Sequence, residues 1–402
     1  MSLHNSPDKK YLNLLDEYTG TKVVFGEGAF AQLGEHLLLE RIDRASFVFG
    51  GKNSYIGSGL CNAFTHMISG FEIDSPNVAE IPPEPDCNDV RRIVEAFNEQ
   101  QPQCVIAAGG GSVLDAAKAA YLSWQTGLDV SELFGVDVAS TRFPDKTFNR
   151  VICIPSTSGT GSEVTPYSNI VDPETKVKRL IMEKQIVPEY AFVDHCFTRT
   201  MPPSLTVTTA LDALVHSIES FLNTKSATAH PASDEWAIES IKLIRYALPL
   251  VLENTDTLLY REMLSAGATL GGMCIACRPT SLPHLCSFSL YGQIPHGLAV
   301  AGFLPMFWRY YLADEAVRKQ TMRLAGIFES DVPQTTPESV VDAAERFILR
   351  FAKPLELSEE TIAKIASDAS GNPMKLTSAP RPVSLDNAAD VLRSILSGKG
   401  QA

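Results

Sequence analysis

The stretch TALDALVHSIESF, residues 209–221, sets one acid and one imidazole into an otherwise apolar helical pattern. Asp212 and His216 stand four apart, so on a helix they project from the same side, one turn above the other. Leu211, Leu214, Val215 and Ile218 surround them, and a lone carboxylate in such company is destabilising unless something compensates its charge. Two compensations fit: a hydrogen bond between acid and imidazole, or a cation held by both. Further on, RPTSLPHLCSFSLYGQIPHGLAVAGFLP carries His284 and His296, twelve apart, each preceded by proline. One carboxylate and three imidazoles make a four-ligand set suited to a divalent ion such as Fe2+ or Zn2+, with a position open to substrate. Taken singly, each histidine also reads as a hydrogen-bonded core residue. On these residues alone both readings stand.

Two glycine-rich turns offer a different chemistry. CVIAAGGGSVLDAAK places three glycines and a serine between an apolar run and a helical pattern. Glycine lets the backbone approach an anion closely, and a helix start supplies free N–H groups. The turn is neither G-x-G-x-x-G nor a phosphate-binding P-loop, because Lys118 lies inside the following helix. PSTSGTGSEVTP, residues 155–166, is a second such turn, rich in hydroxyls. Each alone is compatible with a plain strand–helix turn; two after neighbouring strands point to a dinucleotide. Enzymes that prefer NAD place an acid after the second strand, where it repels a 2′-phosphate. In SFVFGGKNS that place is held by Gly50 or Gly51, with Lys52 next to it. This favours NADPH over NADH, unless Lys52 is simply solvated.

These residues need a scaffold, and the chain supplies two textures. KVVFGEG (22–28), ASFVFGG (45–51), CVIAAGGGS (104–112), VICIP (151–155) and YAFVDH (190–195) read as strands, with helical patterns such as DVRRIVEAFNEQ between them. Such alternation predicts parallel βαβ units in a doubly wound sheet. After about residue 196 the spacing is helical almost throughout. The expected organisation is an α/β dinucleotide-binding domain over 1–196, an all-α metal-binding domain over 197–402, and a ligand cleft between them.

Of the 402 residues, 45% are hydrophobic and 20% charged, and the net charge is −13. That balance argues against nucleic acid or anionic membrane as partner and leaves a small molecule; a homo-oligomeric state is left open. The eight cysteines, Cys104 and Cys153 among them inside apolar runs, read as buried hydrophobes of a reducing compartment. Cys274 and Cys277 form a C-x-x-C without a second pair at zinc-ribbon spacing. The opening MSLHNSPDKK has no apolar core, and no run of 18 apolar residues follows, so a cytoplasmic location is expected.

In their order and spacing, GGGSVLDAAK, TSGTGSEVTP, ALDALVHSIES and PHGLAV resemble the iron-containing (group III) alcohol dehydrogenases, from about residue 20 to residue 390. That family shares its fold with dehydroquinate synthase and glycerol dehydrogenase. The resemblance implies Asp212, His216, His284 and His296 as ligands of Fe2+ or Zn2+, and NADP or NAD as cofactor. It implies Gly110, Gly111 and Ser112 around the pyrophosphate, and Thr157, Ser158, Thr160 and Ser162 around the phosphates and nicotinamide. Lys178 would stand near the nicotinamide ribose, or else be one solvated lysine of the charge run KVKR. Many members carry a further histidine four residues after the third ligand; here Phe288 holds that place, so a proton relay through it is not expected. CRPTSLPH followed by PHGLAV is similar to the family's phosphonoacetaldehyde reductase branch, which makes 2-hydroxyethylphosphonate. Arg278, six residues before His284, is the expected holder of a substrate's terminal anion, aided by Thr280 and Ser281. The expected activity is reduction of a short aldehyde to its primary alcohol, phosphonoacetaldehyde leading. The alternatives are an Arg278 paired within the protein and neutral short-chain substrates, a non-redox enzyme of the dehydroquinate synthase kind, or a silent nucleotide-binding scaffold.

Overall fold

Parallel strands buried on both faces need continuous apolar runs, and the first half of the chain provides them. A computed structural model describes residues 9–71, 77–148, 150–226, 228 and 230–398. The opening residues 1–8, on which the expected lack of a leader rests, lie outside the described residues. Among the described residues nine strands form: β1 (Lys22–Phe25), β2 (Ala45–Gly50), β3 (Asn77–Ile81), β4 (Cys104–Gly109), β5 (Gly135–Val136), β6 (Arg150–Pro155), β7 (Tyr167–Asp172), β8 (Val177–Met182) and β9 (Tyr190–Val193). Six of them make one wholly parallel sheet in the order β1-β9-β6-β4-β2-β3. Every residue of β2 and β4 is buried. The five runs read from sequence are β1, β2, β4, β6 and β9.

The second sheet, β5-β8-β7, was not anticipated. β7 and β8 pair antiparallel, from Tyr167 opposite Met182 to Asp172 opposite Val177. The KVKR charge run therefore lies in or beside a strand, with Lys178 and Arg179 in β8. Because this hairpin is only half-buried, its polar residues mask the strand pattern.

β4 and β6 are neighbours in register to their ends, where Gly109 faces Pro155. Their following turns, the two glycine-rich segments, therefore emerge side by side at the carboxyl edge of the sheet, a usual place for a ligand. The first runs into a helix, α1 (Gly111–Thr126). The second is fastened by Lys118 of that helix. Its ammonium is fully buried and donates to Ser162 O (2.9 Å), Ser162 Oγ (2.8 Å) and Thr165 O (3.1 Å).

Beyond residue 196 the structure is helical. α2 (Pro203–Leu222), α3 (Ser233–Glu253) and α4 (Leu258–Cys277) pack on one another around an apolar core. α5 (Leu282–Ser287), α6 (His296–Tyr311), α7 (Glu359–Ser370) and α8 (Pro373–Thr377) complete the cleft side. None of the described helices is long and apolar enough to cross a membrane. The eight cysteines are free thiols, Cys274 and Cys277 included. The two halves meet where the second turn presses on α4. Gly161, at φ +64°, leaves no room for a side chain, since an added Cβ would lie 2.4 Å from Gly272 Cα.

Gly161→Ala should therefore strain the backbone and force the two halves apart, destabilising the protein by about 1–3 kcal/mol. Urea unfolding checks this; a change below roughly 0.5 kcal/mol, typical of an unconstrained surface site, would refute it.

Candidate active site

Three elements bring the four candidate ligands to one point. α2 presents Asp212 and His216 from the same face, 4% and 5% exposed. α5 opens with Leu282 and Pro283, so His284 falls in its first turn. α6 begins at His296, directly after Pro295. Gly297 explains how α6 can start so close to α2: a Cβ there would fall 1.9 Å from Thr208 O and 3.2 Å from Asp212 Cβ.

The resulting geometry is regular. Asp212 Oδ1 lies 3.6 Å from His216 Nε2, 3.5 Å from His284 Nε2 and 3.6 Å from His296 Nε2. Ligands about 2.1 Å from a tetrahedral ion are spaced about 3.4 Å apart. Asp212, His284 and His296 each offer a ligand atom within 4.8 Å of the others. His216 joins through Asp212 and by stacking on His284, with ring centroids 4.7 Å apart. Asp212 Oδ1 and His284 Nε2 are buried and have no hydrogen-bond partner in the protein. Orphaned polar atoms facing one another are costly as they stand and are satisfied together by a cation. The donor set fits a divalent metal.

A second layer holds the imidazoles in place. His284 Nδ1 bonds Glu219 Oε2, while Glu219 Oε1 accepts from Ser281 N and Ser281 Oγ, both at 2.9 Å. His296 Nδ1 lies 3.3 Å from Ser287 Oγ. A carboxylate behind a ligating histidine fixes its ring and raises its basicity. The electrostatics follow. Burial favours a neutral Asp212, but the three imidazoles outweigh it, His216 first, and hold the carboxyl well below its usual range. Burial lowers His216 to about 4 and depresses His296 likewise. Burial would lower His284 too, but Glu219 and Asp212 prevail and raise it to about 9. Glu219 was not singled out in sequence, although it extends the Asp212–His216 stripe by three residues.

The ligands face a cavity of about 1100 Å3 whose other wall includes Gly111, Ser112, Thr160, Ser162 and Lys178. Gly111 and Ser112 open α1, where backbone N–H groups have no helical acceptor. The remaining expected cofactor contacts lie outside the lining. Gly110 packs toward Thr157, and the Ser158 hydroxyl is 2.9 Å from Ser265 Oγ. Ser162 donates to Asp115 Oδ1 at 2.6 Å while accepting from Lys118, so its hydroxyl serves the turn itself. Gly50 and Lys52 stand at the carboxyl end of β2 and just beyond it, with Lys52 exposed. Lys178 is pinned 3.0 Å from Glu84 Oε1 and lies 5.9 Å from the Tyr291 ring centre. Phe288 stacks on His296 at 7°.

The expectation for Arg278 requires correction. Arg278 does not line the cavity: its Nη1 donates to Asp234 Oδ1 at 2.5 Å, in a cluster that also includes Arg323 and Gln320. The protein itself supplies the guanidinium with a carboxylate, so it is not free to take a substrate's anion. Of its two hydroxyl neighbours, Ser281 serves Glu219, and only Thr280 faces the cavity.

Because His284 is raised to about 9, the metal-free protein carries it protonated at pH 7.5, and binding a divalent ion should release about one proton. The pair's contribution to stability is complete below pH 6.5 and is lost as pH rises through 9. Calorimetry of Zn2+ binding in buffers of different ionisation enthalpy measures the proton; none released would refute the assignment. Glu219→Gln should weaken metal retention roughly 10–100-fold in chelator competition.

Comparison with known proteins places this arrangement. The model of the iron-containing alcohol dehydrogenases matches residues 20–195, and that of the Fe-containing alcohol dehydrogenase family, C-terminal, matches residues 206–396. The chain is 30% identical over 351 residues to an alcohol dehydrogenase of Thermococcus barophilus, covering 86% of this chain and 89% of the relative. It is 29% identical over 347 residues to an NADPH-dependent butanol dehydrogenase of Clostridium saccharobutylicum, covering 83% of each. The crystal structure of an iron-containing alcohol dehydrogenase from Thermotoga maritima superposes with a TM-score of 0.78 at 28% identity, covering 94% of this chain and 99% of that one. The chain is thus an enzyme of the iron-containing alcohol dehydrogenase family.

Proposed function

We propose that this enzyme reduces a short aldehyde to its primary alcohol: aldehyde, NAD(P)H and a proton give alcohol and NAD(P)+. The observation that carries the reading is the Asp212 carboxylate oxygen 3.5–3.6 Å from three imidazole nitrogens, in a cavity that also reaches the start of α1. Asp212, His216, His284 and His296 hold the metal, and Glu219 orients His284. When bound, a divalent ion supplies Lewis acidity toward the carbonyl oxygen, and a nicotinamide supplies the hydride. Gly111 and Ser112 would receive the pyrophosphate on free N–H groups, and Lys178, pinned by Glu84, would serve the ribose. Phe288 covers one face of His296 and has no proton to give, so no side chain at that place relays a proton to the product oxygen.

The cofactor proposed is NADPH. Gly50, Gly51 and Lys52 at the end of β2 present nothing that repels a 2′-phosphate, and Lys52 is exposed and free to meet it. For the substrate we retain an aldehyde with a terminal anion, phosphonoacetaldehyde leading, held by a cleft cation other than Arg278. A neutral substrate is the second reading, favoured by the Arg278–Asp234 pair. The cytoplasm is the proposed location.

The test is oxidation of reduced cofactor by the metal-loaded enzyme with a panel of short aldehydes. Turnover with NADPH preferred is expected. Lys52→Ala should lower kcat/KM for NADPH roughly fivefold, the scale of one exposed ion pair, and leave NADH unchanged. No turnover with any aldehyde would end the dehydrogenase reading; a preference for NADH would end the cofactor assignment.

A further inference from the structure

Lys375 is a buried cation with no carboxylate in contact among the described residues, and it opens on the active-site cavity. It lies in the short helix α8 and is 9% exposed. Its backbone N–H is fixed by Asn372 Oδ1 at 3.0 Å. Its ammonium donates to Thr280 O and, at 2.8 Å, to Thr280 Oγ1. An ammonium has three donors, and among the described residues no partner takes the third and no carboxylate pairs with the group.

Most other buried or half-buried cations here are provided for; Arg261, buried and without a carboxylate, gives its Nη groups to Thr206 Oγ1 and Met201 O and lies outside the cavity lining. Arg278 has Asp234, Lys178 has Glu84, and Arg309 has Asp342 and Glu345. Lys118 spends all three donors on oxygens of the second turn. Lys375 alone of this group combines a spare donor, no contacting carboxylate, and a place on the cavity wall beside Thr280 and His216. Its charge is felt at His216 and at the Glu219 carboxylate, whose oxygens are already bonded to His284 and Ser281. Burial lowers its pKa to about 8, which still leaves it mainly charged at neutral pH. A charge taken out of water is destabilising until an opposite charge joins it.

We propose that Lys375, with Thr280, forms the subsite that receives the terminal carboxylate or phosphonate of a two- or three-carbon aldehyde whose carbonyl faces Asp212 and the three histidines. This rests on the aldehyde-reductase reading and transfers the anion-binding role from Arg278 to Lys375. The ammonium's free N–H and the Thr280 hydroxyl together suit an oxygen-rich anion. A neutral aldehyde would leave the ammonium's third N–H without an anionic acceptor.

The test compares kcat/KM for phosphonoacetaldehyde, 3-oxopropanoate and propanal in the metal-loaded wild type and in Lys375→Met, Lys375→Gln and Lys375→Arg. Wild type should prefer the anionic aldehydes, the better of the two naming carboxylate or phosphonate. In Lys375→Met or Lys375→Gln the anionic-to-neutral ratio should fall roughly thirty-fold or more, and Lys375→Arg should recover part of it. In parallel, 2-hydroxyethylphosphonate and 3-hydroxypropanoate with NADP+ should raise the melting temperature of wild type and not of the neutral variants. A wild type that prefers propanal, or a ratio unmoved by the neutral variants, overturns the subsite while leaving the dehydrogenase reading intact. A wild type that reduces none of the three removes both.

Discussion

The buried carboxylate of Asp212 is the constraint on which the rest of the site depends. It stands on an apolar helix face with its Oδ1 accepting no hydrogen bond, and its charge is maintained by three imidazoles. Nothing in such a place is stable unless the neighbours are fixed to suit it. Pro283 and Pro295 start two helices so that His284 and His296 arrive at their first turns. Gly297 lets the second of those helices close on α2 to a distance no side chain would allow. Glu219, one more step along the same face, holds the far nitrogen of His284. Each feature has a bland purpose in isolation; only the carboxylate oxygen they surround makes them one device.

The nucleotide side is organised by an equally unforgiving contact. Lys118 has no carboxylate closer than Asp115 at 4.0 Å, and three oxygens of the second glycine-rich turn solvate it instead. That arrangement converts a hydroxyl-rich loop into a rigid wall, which then docks on α4 through Gly161 and Gly272. The cavity exists because two rigid surfaces meet along a narrow seam and diverge beyond it.

Much of this was legible in the sequence, for identifiable reasons. Buried parallel strands read as unbroken apolar runs, so β2, β4 and β6 stood out. The four-residue spacing of Asp212 and His216 is a helical fact independent of tertiary structure, and Glu219 could have been added by continuing the stripe. What escaped depended on residues brought together by folding. The β7–β8 hairpin was hidden by its half-exposed, charged pattern. The partner of Arg278 lies 44 residues away in sequence, so a guanidinium expected in the cleft proved to be bound elsewhere. Lys375, one of 34 lysines and arginines, becomes distinctive only when the fold buries it on the cavity wall without a contacting acid.

The central claim is that one metal ion sits where the Asp212 oxygen and three imidazole nitrogens converge. Anomalous diffraction from crystals of the iron- or zinc-loaded protein, recorded on both sides of the metal edge, tests it most directly. A single peak about 2.0–2.3 Å from ligand atoms of Asp212, His216, His284 and His296 is the predicted result. A peak bound elsewhere, or none at that point in protein shown to retain stoichiometric metal, would contradict the account.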